Sequence, residues 1–164
     1  MTRPAIAPDT DSVTVAETGV GRFQVEVLAA GSAFLADEPV EAGGLGSGPT
    51  PYDLLASALG ACTAMTLRLY AERKGWPLTR ATVRVLHTRT PKGRDRFARE
   101  LTVEGPLDDD QRRRLVEIAE KCPVHRTLEG RSEIITVLTA PPDLAARERS
   151  GEGHMHAMLE ACAD

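Results

Sequence analysis

A long apolar segment in the middle of the chain restricts the possible folds more than any other feature. No charged residue occurs between Asp53 and Arg68, and apolar residues recur there at helical spacing. A helix over residues 51–74 would be roughly 36 Å long. Because its first half is apolar on every side, the rest of the chain must wrap around it.

Local signals define both ends of this helix. Thr50 is a suitable N-cap, Pro51 suits the first helical position, and Asp53 completes a capping box. At the other end, Gly75 tolerates a left-handed conformation and Pro77 cannot continue a helix. The sequence therefore predicts a helix that begins at Pro51 and ends before Gly75.

Alternating apolar and polar residues on both sides of the helix predict antiparallel strands. One group lies between residues 12 and 35, a second pair around 83–87 and 101–103, and a last strand over Glu133–Thr139. An amphipathic helix over Asp108–Lys121 is followed by a short helix that starts at Pro123. This order of elements predicts an α+β class.

The predicted domain covers residues 11–140. A flexible lead-in over residues 1–10 precedes it, and a polar tail over 141–164, with a short helix from His154 onward, follows it. Residues 37–51 contain four glycines and three prolines, so they form a loop that is either flexible or folded over a site.

Charge and cysteine usage exclude several classes of function. The net charge of −4 and the absence of a long basic run argue against nucleic acid as a partner. No stretch approaches eighteen or so uncharged apolar residues, so we expect no membrane partner. Three widely spaced cysteines without a CxxC motif fit reduced thiols in the cytoplasm, with no metal.

Cys62 and Cys122 are the main candidates for chemistry. They lie sixty positions apart on two predicted helices, so they meet only if those helices pack together. Cys122 precedes Pro123 and would be the N-cap of a short helix, where the helix dipole and a charge on His125 or Arg126 would favour a thiolate. The alternative is that both are small buried hydrophobic residues.

Two motifs carry a resemblance to a known family. Residues 44–62 read GLGSGPTPYDLLASALGAC, and residues 119–125 read AEKCPVH. This combination resembles the OsmC/Ohr family, in its general OsmC-like branch, and the resemblance spans roughly Val13 to Leu138.

The resemblance implies an OsmC-like fold, in which antiparallel sheets wrap around long central helices in an intertwined homodimer. It also implies that Cys62 attacks an organic hydroperoxide and becomes a sulfenic acid, and that Cys122 resolves it as a disulfide. A thiol reductant of dithiol or lipoyl type would restore the pair, and no cofactor is implied.

The chain departs from the family pattern at two positions. Family members use an arginine in the loop before the long helix and a glutamate directly after the proline at its start. Here no arginine occurs between Phe34 and Tyr52, and Tyr52 itself follows the proline. Both groups that activate the thiol in the family are therefore replaced.

Several residues are possible substitutes, and each has a simpler explanation. Glu41 could lie over the site or be an ordinary loop acid, Asp53 fits a helix cap better, and Tyr52 could bind substrate but is better explained by packing. His125 and Arg126 flank Cys122. His87, on a strand, is expected at the surface.

Three functions remain open from the sequence. The first is a thiol-dependent peroxidase, similar to organic hydroperoxide reductases and active in oxidative or osmotic stress defence. The alternative is a catalytically weak OsmC-like module that binds a small apolar ligand at the dimer interface. The third is sulfur or acyl transfer through Cys122 with His125 as the base.

Overall fold

A computed structural model describes residues 12–130, 132–136, 138 and 152–162. The expected lead-in at 1–10 lies outside these residues, as does the first part of the tail expected at 141–164. The elements in chain order are β1 (Thr14–Glu17), β2 (Val25–Ala29), β3 (Ser32–Ala36), α1 (Pro51–Arg73), β4 (Arg80–Arg89), β5 (Asp95–Glu104), α2 (Asp109–Ala119), α3 (Pro123–Glu129) and α4 (Glu152–Ala161). The predicted α+β class is confirmed.

The first sheet is antiparallel with the strand order β1-β2-β3. The β2–β3 turn consists of Ala30 and Gly31, which both have positive φ angles, of 48° and 77°. Such two-residue turns match the twist of the strands that they join. The sheet is therefore a compact meander, and its contacts with the helices and the second sheet are slight.

The glycine-rich segment after β3 is folded around one buried carboxylate. Asp37 accepts hydrogen bonds from the backbone N–H groups of Glu38, Leu45 and Ser47 and from the Ser47 hydroxyl, at 2.8 to 3.3 Å. A Cβ at Gly44 would collide with the Glu38 carbonyl. Burial opposes ionisation of Asp37, but these bonds together outweigh it, so the pKa of Asp37 is lowered. The glycine-rich loop is therefore folded around its own Asp37.

Helix α1 has the ends that the sequence predicts. Thr50 and Asp53 form a reciprocal capping box, in which the Asp53 carboxylate accepts from the Thr50 backbone N–H at 2.9 Å. At the C-terminus, Gly75 has a φ of 63° and the Trp76 N–H donates to the Ala71 carbonyl at 2.8 Å. This is a Schellman arrangement, and it fixes where the helix stops.

By length and composition, α1 is the one helix among the described residues that could cross a membrane, with a mean hydropathy of 1.3 over its most apolar window. A helix that packs in the core of a protein meets the same criteria, so this finding does not contradict the expectation of no membrane partner. Only 39% of the window is buried within the chain. Much of the apolar surface of α1 is left uncovered by its own chain.

The second half of α1 carries the main core. β4 and β5 form a hairpin whose inward face packs against α1, and α2 and α4 cover the other side. The buried residues of this core are Leu67, Tyr70, Ala71, Leu78, Leu107, Leu115, Ile118, Ala119 and Cys162. The helix expected from His154 onward is present as α4, and it buries Met158, Ala161 and Cys162.

The strand predicted over Glu133–Thr139 is wrong for the part that the structure describes. Residues 132–136 and 138 have no strand assignment, and residues 137 and 139 lie outside the description. Ile134 and Leu138 are 87% and 90% exposed. A strand requires a neighbour to pair with, and residues 132–136 belong to neither of the two described sheets.

Candidate thiol site

Cys62 and Cys122 meet at the centre of the candidate site. Cys62 lies on α1 and Cys122 is the N-cap residue of α3, as its position before Pro123 predicts. Their sulfur atoms are 2.8 Å apart, and both residues are buried. The separation exceeds the roughly 2.05 Å of an S–S bond by less than one ångström. A disulfide therefore requires only a small movement.

Apolar side chains surround the two sulfurs. Leu59 precedes Cys62 by about one helical turn and is itself buried. The other neighbours come from the hairpin and from α3, and they are Val85, Phe97, Val124 and Leu128. This environment excludes water from the thiols, which strengthens any electrostatic interaction with them.

The surroundings of Cys122 stabilise its thiolate. The pKa of Cys122 is lowered mainly by the hydrogen bond with Cys62, with contributions from the Thr63 hydroxyl and the backbone N–H groups of His125 and Val124. Burial opposes this effect. The N–H groups do not form a cap bond of regular geometry. Their positive ends nevertheless face the sulfur.

The surroundings of Cys62 have the opposite effect. The pKa of Cys62 is raised by the hydrogen bond with Cys122 and by burial, while the Val124 N–H and the Thr66 hydroxyl oppose the shift only partly. The hydrogen bond between the two thiols therefore favours ionisation of Cys122 over ionisation of Cys62.

A buried arginine that the sequence reasoning missed lies beside the pair. Arg99, on β5, has a side chain that is only 9% exposed. One terminal nitrogen donates to the Thr63 hydroxyl at 3.0 Å and to the Ala119 carbonyl at 2.8 Å. The other donates to Glu120 and to the Nδ1 atom of His125, both at 2.9 Å.

A signal for Arg99 is present in the sequence. The inward-facing positions of β5 are Phe97, Arg99, Leu101 and Val103. A charged residue in the apolar register of an alternating strand is buried only with partners. The register of β5 identifies Arg99 as such a residue.

His125 is close to Cys122 in the chain, but its imidazole is engaged elsewhere. A guanidinium has no acceptor, so the Nδ1 atom that faces Arg99 must accept, and the proton of the neutral ring is on Nε2. Nε2 faces Glu129 at 3.2 Å and Glu120 at 3.5 Å. His125 therefore acts on Cys122 through its backbone N–H, and the ring does not supply the charge or base expected from its proximity.

Tyr52 and His87 stack next to Phe97, which is one of the apolar neighbours of the two sulfurs. Their rings stack at 4.1 Å between centroids, and His87 also packs against Phe97 at 4.8 Å. Asp95 lies 2.9 Å from His87 Nε2. The packing role expected for Tyr52 agrees with this geometry, whereas His87 faces inward and is not the surface residue that we expected.

The remaining candidate residues are more distant from the sulfurs. Asp53 caps α1, and its pKa is lowered by the hydrogen bonds from Thr50. Glu41 lies exposed in a 3-10 turn over Val40–Ala42 and forms no hydrogen bond or ion pair with another described residue. Arg126 is exposed on α3. None of these side chains is brought to the thiol pair within the described part of the single chain.

An open groove runs beside the first half of α1. It has a volume of about 420 Å³. Its lining residues are Asp53, Ala56, Ser57, Gly60 and Ala61 of α1 and Val83 and Val85 of β4. The groove therefore passes next to the helical turn that carries Cys62.

Several solved structures share this fold. The OsmC-like protein of Mycoplasma pneumoniae is 19% identical, with a TM-score of 0.63 over 76% of this chain and 90% of that one. An organic hydroperoxide resistance protein of Legionella pneumophila is 24% identical, with a TM-score of 0.54 over 73% and 90%. That of Bacillus subtilis is 23% identical, with a TM-score of 0.54 over 76% and 93%. At these identities the likeness shows the fold.

Among curated protein sequences, none matches the chain significantly. The sequence model of the family described as OsmC-like protein matches residues 44–137. This range is more than half of the chain, and it includes both cysteines of the thiol pair and the buried Arg99. The chain therefore belongs to the OsmC-like protein family.

Proposed function

We propose that the chain reduces organic hydroperoxides with the Cys62–Cys122 pair. The observation that carries this proposal is the 2.8 Å separation of two buried sulfurs on different elements. Two isolated structural cysteines have no need of such proximity. The names of the related structures, which include organic hydroperoxide resistance proteins, support the same substrate class.

The proposed reaction has two steps on the protein. Cys62 gives up its proton as its sulfur attacks the terminal peroxide oxygen, the O–O bond breaks, and that proton completes the leaving alcohol. Cys62 becomes a sulfenic acid, which is the reversible first stage of cysteine oxidation. The Cys122 thiolate then attacks that sulfur, an S–S bond forms, and the hydroxide that leaves is protonated to water.

The disulfide must be reduced before the next cycle. An external dithiol, for which a lipoyl-type group is our first candidate, would supply two electrons and two protons through a mixed disulfide. A reducing cytoplasm would maintain such a donor. No cofactor is required, because the sulfurs themselves carry the electrons.

The apolar surroundings of the pair favour an organic peroxide over hydrogen peroxide. Leu59, Val85 and Phe97 pack around the sulfurs, and the neighbouring groove could accept an alkyl or aryl chain. Hydrogen peroxide would have to leave water for this site without any such apolar contact. We therefore expect a preference for hydroperoxides with an apolar substituent.

We further propose that the active form is a homodimer. Most of the apolar window of α1 is not buried by its own chain. Apolar side chains are also exposed on the first sheet and in the segment after α3, namely Val13, Val15, Phe34, Leu35, Ile134 and Leu138. A second copy that covers these surfaces would bury them without any other partner.

One observation favours a second candidate function. Cys62 and Cys122 are only 2% and 0% exposed, so a peroxide must enter through the apolar cluster. None of the groups with the largest effects on the pKa of Cys62 is cationic, in agreement with the departures from the family pattern. A catalytically weak module that binds a small apolar ligand in the groove would also have these properties.

The deciding experiment exposes the reduced protein to cumene hydroperoxide or hydrogen peroxide and maps cysteine oxidation by mass spectrometry. We expect a rapid Cys62–Cys122 disulfide that forms faster with the organic peroxide and is absent in Cys62→Ser and Cys122→Ser. Cys162→Ala is the matched control and should react like the wild type. Slow oxidation without preference for the organic peroxide would contradict the proposal and favour the binding module.

A further inference from the structure

We propose that Arg99 is a positioning residue of the thiol pair, which favours the thiolate form of Cys122 through the Thr63 hydroxyl and the α2–α3 junction. This inference rests on the proposed function only for the step of the reaction that it affects. The position of the charge itself can be tested without any peroxide.

The first part of the argument is the completeness of the Arg99 contacts. The two terminal nitrogens of a guanidinium carry four N–H bonds, and the structure provides four acceptors for them. The side chain is nine-tenths buried. A buried cation held by a full set of hydrogen bonds cannot turn away without leaving its charge unsatisfied. Arg99 is therefore a fixed positive charge in the protein interior.

Thr63 connects this charge to the sulfur. The Thr63 hydroxyl accepts from Arg99 at 3.0 Å and donates to the Leu59 carbonyl at 2.7 Å, and it also lies beside Cys122. A hydroxyl has one hydrogen. Because Arg99 occupies an acceptor position of the oxygen, the hydrogen points away from Arg99, toward either Leu59 or Cys122. An ionised Cys122 is the stronger acceptor of the two.

The second connection is the backbone on both sides of Cys122. Arg99 holds Ala119 and Glu120 before the cysteine and His125 after it. The Ala119 carbonyl lies at the end of α2, where helical carbonyls lack partners within the helix. These contacts bridge the junction, so the N–H groups of Val124 and His125 remain directed toward the sulfur.

The other charged groups near the pair include Lys121, whose charge acts on Cys162, and Arg126, which is exposed on α3. Cys62 faces Cys122 from α1, Arg99 faces it from β5 through Thr63, and His125 is neutral. The carboxylates of Glu120 and Glu129 lie on the solvent side and are largely exposed. Water screens these acids more than it screens the buried guanidinium, so the cation dominates on the side of the sulfur.

The inference assigns Arg99 to the second step of the proposed reaction. When Cys62 has become a sulfenic acid, Cys122 must be a thiolate to attack it. Loss of Arg99 should therefore slow disulfide formation more than the first oxidation. In Arg99→Gln treated with cumene hydroperoxide, a Cys62 sulfenic acid should accumulate that dimedone can trap.

The test that does not depend on peroxide follows the ultraviolet absorbance of the thiolate against pH. Its background is the full chain with Cys62→Ser and Cys162→Ala, in which Cys122 is the only thiol and the serine hydroxyl replaces the neighbouring S–H as a donor. Arg99→Gln should raise the pH of half-ionisation by about one unit, a tenfold loss of thiolate below the midpoint. Arg99→Lys keeps the charge but not the four bonds, and it should give an intermediate value.

Arg84→Gln is the matched control, because Arg84 forms an exposed pair with Glu100 on the outer face of the hairpin. It should leave the midpoint unchanged. A folded Arg99→Gln protein with an unchanged midpoint would overturn the inference, as would an equal shift in the control.

If Arg99→Gln does not fold, Thr63→Val tests the inference instead, since it leaves the other three Arg99 contacts in place. It should raise the midpoint, whereas Thr63→Ser should restore it. An unchanged midpoint in Thr63→Val would reject the route through the hydroxyl. Failure of the proposed function would instead appear in the peroxide experiment alone.

Discussion

Cys122 and Cys162 are both buried beside α1, but their surroundings have opposite effects on the thiol. Around Cys122, at the first half of the helix, a second thiol, a hydroxyl and two N–H groups lower its pKa. Around Cys162, at the second half, burial raises the pKa, and the charges of Arg73 and Lys121 offset this effect only partly. Burial alone therefore makes a cysteine inert, and directed hydrogen-bond donors are what make one reactive.

The two regions also differ in what holds them together. The core around Cys162 is mainly apolar, and its polar contacts include those from Arg73 to the carbonyls of Leu159 and Cys162 and from the Cys162 thiol to the Thr66 carbonyl. The thiol site contains a cation, a hydroxyl and a helix junction within a small apolar shell. The first region contributes mostly stability, and the second combines packing with chemistry.

The largest expected difference between the two regions appears when one cysteine is removed from each. Cys122→Ala should lower the rate of cumene hydroperoxide reduction by more than about a thousandfold, as removal of a nucleophile does. Cys162→Ala should leave that rate within about twofold of wild type, because Cys162 lies outside the thiol site. Steady-state assays with a dithiol reductant would measure both. Equal losses in the two variants would refute the division.

A cavity in the core tests stability in the same way. Leu67 is fully buried in the core around Cys162. Leu67→Ala should lower the free energy of unfolding by about 2 to 5 kcal/mol. Urea denaturation would measure the loss, and the ionisation midpoint of Cys122 should not change in the folded variant. A shifted midpoint would mean that the two regions are coupled through α1.

The free energy of unfolding should change with pH in opposite directions for Cys122 and for Cys162. The pKa of Cys122 is lowered on folding, so its contribution grows as the pH rises from that lowered value to the ordinary thiol range. The pKa values of Cys62 and Cys162 are raised, so their contributions are lost as the pH rises above that range. The slope of each part is at most about 1.4 kcal/mol per pH unit for one thiol.

Denaturation of the reduced protein at several pH values would test these signs. Stability relative to a variant without cysteines should pass through a maximum near pH 8.5, roughly the pKa of a free thiol. Cys122→Ala should remove the rising part, and Cys162→Ala should reduce the falling part. A rising part that persists in Cys122→Ala would contradict the assignment of the charge.

The smallest expected effect concerns the N-terminus of α1, which supports both regions. Thr50→Ala and Asp53→Asn each weaken the capping box and should each cost about 1 kcal/mol of stability. If Asp53 serves only as a cap, the two variants should reduce peroxide at similar rates. A selective loss of activity in Asp53→Asn would show that this groove-lining carboxylate has a role in the chemistry.

The sequence was most informative where structure depends on neighbouring residues. The caps of α1 at Thr50 and Gly75 and the N-cap position of Cys122 were predicted, because each depends on a few adjacent residues. The approach of Cys62 to Cys122 required a family resemblance, since sixty positions separate them. Local patterns do not determine which helices pack together.

The wrong predictions from the sequence also concern features that depend on distant parts of the chain. The segment 133–139 alternates like a strand, but a strand forms only with a neighbour, and residues 133–136 belong to neither of the two described sheets. The strand register places His87 and Arg99 on the apolar face of the hairpin. It does not reveal their partners, because these depend on which helices that face meets.

The carboxylate of Asp37 has a consequence for how this chain can evolve. Asp37 holds the turn of the glycine-rich loop through Leu45 and Ser47, and the backbone at Gly44 leaves no room for a side chain. A substitution at one of these positions removes the hydrogen bonds or the close approach that the residues at the other positions serve. Across descendants of this chain, Asp37, Gly44 and Ser47 should therefore be inherited or replaced as one block, and drift in the loop should be confined to exposed positions such as Val40 and Glu41.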